Sequence, residues 1–192
     1  MTQYPDLLVL RHGQTEWNLA GRFQGRRNSD LTALGRAQAA EQNSILTSHR
    51  LRYPDQISSP QGRAVETAQI ALGSSGFQQD IRLSEIAFGN WEGMTRSEIK
   101  TQINCSYDLH LWYFQSPGGE SFAEISARVR AFMDDLRGPS IVVTHGVTSA
   151  VLRGLWLGLS EAELAVLPKE QGCIYQLADG KETTLRSQIY AD

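Results

Sequence analysis

Two histidines in this chain each follow an apolar segment and precede a glycine. Residues 7–10 (Leu-Leu-Val-Leu) lead into Arg11-His12-Gly13, and residues 141–144 (Ile-Val-Val-Thr) lead into His145-Gly146. Apolar runs of this kind are typical of buried parallel strands, and open α/β folds bind ligands at the carboxyl ends of such strands. Right-handed crossovers would bring both histidines to one edge of one sheet. Core packing does not require a histidine there twice, so the pair indicates a functional site.

Two arginines and a glutamate are placed to complement these histidines. Arg11 directly precedes His12, and Arg63 lies in the first turn of a predicted helix that follows a short strand. Guanidinium forks, imidazoles and the amide groups of helix starts together favour the binding of a tetrahedral oxyanion. A carboxyl group beside such an anion suits general acid catalysis, because like charge raises its proton affinity. Glu85 and Glu92, in one turn-rich loop, are both candidates for this acid.

The elements that must position these residues alternate between strands and helices. Residues 1–192 are expected to form one domain, without internal repeats or linkers. Ser121 and Glu124 predict a capping box at the start of the clearest helix. The predicted helices cover residues 32–48, 63–72, 121–137 and 147–157, and short strands are predicted at 55–58 and 81–83. A hairpin over residues 173–177 and 183–189 is expected around Asp179-Gly180.

Composition narrows the classes of partner and compartment. The net charge is −3, which argues against nucleic acid or an anionic membrane as the main partner. Nothing resembles a signal peptide or a membrane span, so a cytoplasmic protein is expected. Cys105 and Cys173 lack the spacing of metal ligands and are expected to be reduced structural residues. Of the two remaining histidines, His49 suits a solvated helix end, and His110 is ambiguous.

The motifs together resemble the opening and the later blocks of the histidine phosphatase superfamily, the phosphoglycerate-mutase-like enzymes. The similarity covers about three quarters of the chain, in the order found in the family. The matching segments are Leu8 to Asn18, Gly21 to Gly25, Leu31 to Ala39, Ser58 to Ala68, Leu83 to Gly93, Pro117 to Ser121, and Val143 to Gly146.

This resemblance implies a three-layer α/β/α sandwich with a mostly parallel central sheet, and it implies a role for each site residue. His12 would be the nucleophile that forms a phosphohistidine, and Glu85 the proton donor to the leaving oxygen. By motif position Glu92 falls instead in a structural Trp-Glu-Gly turn. Arg11, Arg63 and His145 would hold the equatorial oxygens. The positions matching the phosphate pocket are Asn18, Gln24, Gly25 and Gly146. No metal or other cofactor is expected.

Three functions remain open at this point. A phosphatase acting on small phosphomonoesters is favoured, because residues 97–127 contain no arginine and only Lys100. The cofactor-dependent mutases of the family carry paired arginines in this interval. A phosphoglycerate mutase is the alternative, and a catalytically silent phosphoryl-binding module is a third. Residues 94–118 are a possible lid, with Trp112-Tyr113-Phe114 as an apolar wall or a segment docked on the core. The protein is expected to be a monomer or a homodimer.

Overall fold

A six-stranded sheet forms the centre of the computed structural model, which describes residues 4–73, 76–102 and 111–187. The strand order is β3-β2-β4-β1-β5-β6. Strands β1 to β4 run parallel to one another, whereas β5 is antiparallel to β1, and β6 to β5. The strands are β1 (Leu7–Arg11), β2 (Asp55–Ser58), β3 (Gln78–Gln79), β4 (Ser140–Thr144), β5 (Ile174–Ala178) and β6 (Lys181–Leu185).

Helices cover both faces of this sheet because side chains alternate along each strand. Leu8 and Leu10 of β1 pack into a cluster with Leu46 and Ala68, whereas Leu7 joins the cluster on the opposite face. The α/β/α sandwich with a mostly parallel sheet is therefore confirmed. The helices are α1 (Glu16–Leu19), α2 (Ala33–Leu46), α3 (Gly62–Leu72), α4 (Arg96–Gln102), α5 (Phe122–Asp134), α6 (Gly146–Leu157) and α7 (Glu161–Ala165). Helices α2 and α3 contact each other, as do α5 and α6. Among the described helices, none is long and apolar enough to cross a membrane.

The register of two central strands brings the two histidines together. Strands β1 and β4 are parallel neighbours, and Arg11 pairs with Thr144 at their carboxyl ends. The next residue of each chain segment is therefore a histidine at the same edge of the sheet. The ring centroids of His12 and His145 lie 5.1 Å apart.

The predicted strand at residues 81–83 is wrong. Ile81–Leu83 forms a 3-10 helix, and the strand of this region is the exposed pair Gln78–Gln79 at the sheet edge. The Asp80 side chain accepts a hydrogen bond from the Arg82 backbone N–H at 2.8 Å, which starts the turn. Leu83 then enters the core while Ile81 stays exposed. The alternation of apolar residues here reflects a tight turn and not a strand.

Other predicted elements are confirmed with shifted ends. The hairpin turns at Asp179-Gly180, both in the left-handed region, although its second strand begins at Lys181 and its predicted residues 188–189 lie outside the described residues. The capping box of Ser121 and Glu124 is present. Trp112, in the segment predicted as a possible lid, is buried and packs edge-to-face on Phe23, with ring centroids 5.6 Å apart. This part of the segment is docked on the core; Cys105 and His110 lie outside the described residues.

Candidate active site

A cavity of about 260 Å³ opens at the carboxyl edge of β1 and β4. It contains eight of the nine residues expected from the sequence, since His145 is not part of its lining. The lining residues are Arg11, His12, Asn18, Gly21, Arg22, Phe23, Gln24, Gly25, Arg63, Glu85, Phe88, Gly146, Val147 and Lys169.

The ring of His12 is oriented by one hydrogen bond at each of its two nitrogens. Its Nδ1 lies 2.7 Å from the carbonyl oxygen of Gly13, and a carbonyl can only accept, so Nδ1 carries the proton. Arg63 Nε donates to His12 Nε2 at 3.3 Å. Burial, together with the charges of Arg63 and Arg11, lowers the pKa of His12 well below its ordinary value. His12 is therefore neutral near pH 7. Its unprotonated Nε2 accepts the hydrogen bond from Arg63 and can act as a nucleophile once that hydrogen bond is released.

His145 is fully buried beside His12, with the ring centroids 5.1 Å apart. Its Nε2 lies 2.7 Å from the Ser59 hydroxyl, which itself accepts a hydrogen bond from the Gln61 backbone N–H. If the Ser59 hydroxyl donates to Nε2, the proton of the neutral ring lies on Nδ1. That Nδ1 has no partner among the described residues. Burial and nearby cations, Arg63 first, lower the pKa of His145 well below its ordinary value.

Arg63, which is buried, and Arg11, which is half-buried, line the cavity together with His12. Arg11 donates to the Lys169 carbonyl through one terminal nitrogen, while its buried Nε has no partner within the described part of the chain. Burial lowers the pKa of Arg63 to about 10, so this group stays charged near pH 7. Its terminal nitrogens donate to the carbonyls of Arg27, at 2.7 Å, and Gly25, at 2.9 Å. An anion in the cavity would meet two fixed positive charges and an unused N–H donor.

The phosphate-loop residues expected from the sequence form one wall of the cavity. Gly25 has φ +55°, and a Cβ there would lie 2.2 Å from Glu92 Oε1, so only glycine fits. Gln24 donates to the Thr15 hydroxyl at 2.7 Å, and the same hydroxyl caps the helix that carries Asn18. This wall is therefore fixed by its own contacts.

Glu85 and Glu92 occupy different environments. Glu85 lines the cavity, and its Oε1 accepts from Thr148 N and Ile86 N, at 3.0 and 3.1 Å. Among the described residues, only Val147 N donates to its Oε2, at 3.1 Å, which leaves a lone pair of this oxygen for proton transfer. Glu92 instead accepts from the backbone N–H groups of Arg26 and Phe88, below the Gly25 turn. The residue types alone did not separate these two carboxylates.

Sequence reasoning missed the cavity residues that precede β5. Lys169 lines the cavity, and Gln171 donates to the His12 carbonyl at 3.0 Å and to Asn18 Oδ1 at 3.2 Å. Since β5 is antiparallel to β1, it begins at the edge where β1 ends. The sequence predicted the hairpin but not its pairing with β1. A prediction of that pairing would have brought residues 169–171 to the site. Phe23, Phe88 and Val147 were also missed.

Potential metal ligands do not cluster in the described residues. No group of three or more His, Cys, Asp or Glu side chains there is arranged to hold a metal ion. Cys173 is buried, and burial raises the pKa of its thiol.

The buried neutral histidines predict a loss of stability in acid. Below pH about 6.5 the unfolded chain binds protons that folded His12 and His145 do not. The free energy of unfolding therefore falls as the pH falls, by about 1.4 kcal/mol per pH unit for each histidine. The free energy of unfolding can be measured by urea denaturation between pH about 6.5 and 5. We expect its decrease per pH unit to be smaller in His145→Gln, by the contribution of one histidine. An unchanged slope would contradict a neutral imidazole at this position.

The chain is similar to several known proteins. A sequence model described as the histidine phosphatase superfamily (branch 1) matches residues 7–187. The chain is 32% identical to the putative phosphoserine phosphatase 2 of Hydrogenobacter thermophilus, over 93% of this chain and 92% of that protein. It is 31% identical to a 2,3-bisphosphoglycerate-dependent phosphoglycerate mutase of Mesorhizobium japonicum, over 89% and 91%. Among solved structures, a mycobacterial glucosyl-3-phosphoglycerate phosphatase in complex with VO3 superposes with a TM-score of 0.74 at 29% identity, covering 91% of both chains.

Proposed function

The chain belongs to the histidine phosphatase superfamily, and from that membership we propose that it is a phosphomonoester hydrolase with a phosphohistidine intermediate at His12. The observation that carries the proposal is the lone pair of neutral His12 Nε2 beside Arg63 in the cavity that Arg11 and Glu85 also line. A nucleophile, two cations and a carboxylate in one cavity are the parts that phosphoryl transfer to an enzyme group needs.

In the first step His12 Nε2 attacks phosphorus, and the bond from phosphorus to the ester oxygen breaks. Arg11 and Arg63 stabilise the charge that spreads over the equatorial oxygens. His145, whose Nδ1 has no partner within the described residues, would be a further donor beside His12. Glu85 delivers a proton from Oε2 to the leaving oxygen, which departs as an alcohol.

In the second step water attacks the phosphohistidine. Glu85, now a carboxylate, takes one proton from this water while the bond between nitrogen and phosphorus breaks. Inorganic phosphate leaves and neutral His12 is restored. One substrate and one water thus give one alcohol and one phosphate.

The cavity size favours small substrates. Its volume of about 260 Å³ lies slightly below the usual range for ligand sites, which begins near ~300 Å³. A phosphorylated small metabolite fits this space better than a large phosphorylated molecule.

Hydrolysis is favoured over mutase activity by the composition of the segment beside the site. Residues 97–127 supply one lysine and no arginine, so an anchor for a second phosphate is lacking there. The names of the relatives include both phosphatases and mutases, which makes product analysis the deciding experiment.

With 3-phosphoglycerate and catalytic 2,3-bisphosphoglycerate, we expect release of inorganic phosphate. Interconversion of 2- and 3-phosphoglycerate with little phosphate release would favour a mutase. Binding of phosphate without any turnover would favour a silent module.

Catalysis is expected to need no added metal, because arginines provide the positive charge for the phosphoryl group. Protein dialysed against EDTA should hydrolyse p-nitrophenyl phosphate at the rate of untreated protein. A loss of rate that a divalent cation restores would contradict this expectation.

A further inference from the structure

Beyond the phosphoryl end, the cavity lining combines an apolar wall with two cations. Phe23, Phe88 and Val147 form the wall, and Arg22 and Lys169 supply the charges. The alcohol portion of a bound phosphomonoester would lie against these residues. They therefore determine which alcohols are accepted.

Arg22 already has an anionic neighbour. Its NH1 donates to the Gly93 carbonyl at 2.5 Å and lies 3.7 Å from Glu98 Oε2. The two other arginines of the same loop also lie near carboxylates, Arg26 near Glu120 and Arg27 near Glu92. These three charges are thus partly neutralised within the protein.

Lys169 differs from these arginines. Its Nζ makes two long hydrogen bonds, to the carbonyls of Ala165 at 3.3 Å and Leu167 at 3.4 Å. Within residues 4–73, 76–102 and 111–187, no carboxylate forms an ion pair with it. Burial and the charges of Arg153 and Arg11 lower its pKa, against the effect of Glu85. Since this half-buried ammonium lies among other cations, an anion beside it would be favoured.

The backbone at Lys169 is fixed by two arginines. Arg11 donates to the Lys169 carbonyl, and Arg153 donates to the Pro168 carbonyl at 2.7 Å. Arg153 is fully buried and pairs with Glu182 at 2.6 Å. Because Arg11 also belongs to the phosphoryl end, the fold sets the position of Lys169 relative to that end.

From these contacts we propose that Lys169 binds a carboxylate on the alcohol portion of the substrate. Phosphorylated hydroxy acids are then preferred over uncharged phosphomonoesters of equal size. This inference rests on the proposed hydrolase function and adds a substrate class to it. One ammonium matches one negative charge, so a carboxylate suits this position better than a second phosphate, which carries nearly two charges.

A matched pair of substrates tests the proposal. 3-Phosphoglycerate and glycerol 3-phosphate differ mainly in a carboxylate that replaces a hydroxymethyl group. We expect Lys169→Met to lower the ratio of their kcat/KM values by about tenfold. Lys169→Arg should retain most of the ratio because it keeps the charge. Lys181→Met, on the exposed hairpin, is the control and should leave the ratio unchanged.

Each alternative outcome has a distinct meaning. An equal loss for both substrates in Lys169→Met would overturn the proposal and assign Lys169 to the transferring phosphoryl group. Unchanged kinetics would overturn it as well. If the wild-type protein hydrolyses neither these two substrates nor p-nitrophenyl phosphate, the hydrolase proposal fails by itself. In that case the affinities of both compounds, measured by calorimetry for wild type and Lys169→Met, test the carboxylate site by the same ratio.

Discussion

Replacement of His12 by alanine is expected to lower kcat by at least about 10⁴-fold while the protein stays folded. The variant keeps Arg11, Arg63 and Glu85, so it should still bind inorganic phosphate or vanadate. It lacks only the nitrogen that forms a bond to phosphorus. Steady-state hydrolysis of p-nitrophenyl phosphate gives the rate, and circular dichroism with thermal unfolding confirms the fold.

His49→Ala is the matched control for this variant. His49 lies just after α2, where its Nδ1 donates to the Ile45 carbonyl at 3.0 Å, and it does not line the cavity. Its activity should equal that of the wild type. Substantial turnover by folded His12→Ala would show that another group attacks phosphorus.

Replacement of Glu85 by glutamine should slow the enzyme most with poor leaving groups. An alkyl alkoxide must be protonated as it leaves, so the loss should reach about 10²- to 10⁴-fold with glycerol phosphate. p-Nitrophenolate leaves without a proton, and its kcat/KM should fall much less. The amide preserves the shape of the side chain beside Val147 and Thr148. Plotting kcat/KM against leaving-group pKa for both proteins measures the difference.

Glu92→Gln separates proton transfer from positioning. Glu92 holds the backbone N–H groups of Arg26 and Phe88 and lies against the Gly25 turn, outside the cavity lining. Any loss in this variant should be similar for all leaving groups. If Glu85→Gln also loses activity uniformly, Glu85 positions the substrate and another group donates the proton.

The core of the site could be predicted from the sequence because its parts follow two buried strands. A continuous apolar run limits where β1 and β4 can lie, and parallel pairing brings His12 and His145 together. Arg63 followed from its position in the first turn after β2. These inferences depend on local pattern and on the handedness of crossovers, both of which are strong constraints.

The remaining features depend on tertiary contacts that local pattern does not encode. The residue types in the loop of Glu85 and Glu92 do not reveal that Val147 and Thr148 donate to one of them. Lys169 reaches the cavity because the irregular loop before β5 passes the edge of the cavity. Arg153 holds this loop through the Pro168 carbonyl. Likewise, residues 81–83 show a strand-like pattern, but a hydrogen bond within the turn decides their conformation.

Trapping the phosphorylated enzyme tests directly whether His12 is the nucleophile. Wild-type protein mixed with substrate and quenched in alkali within one turnover should carry a single phosphoryl group on the peptide containing His12. That group should be stable in alkali and labile in acid, as phosphoramidates are, and it should form and decay fast enough to account for kcat. A phosphoryl group on a different residue, or turnover without a phosphoenzyme, would contradict His12 as the nucleophile.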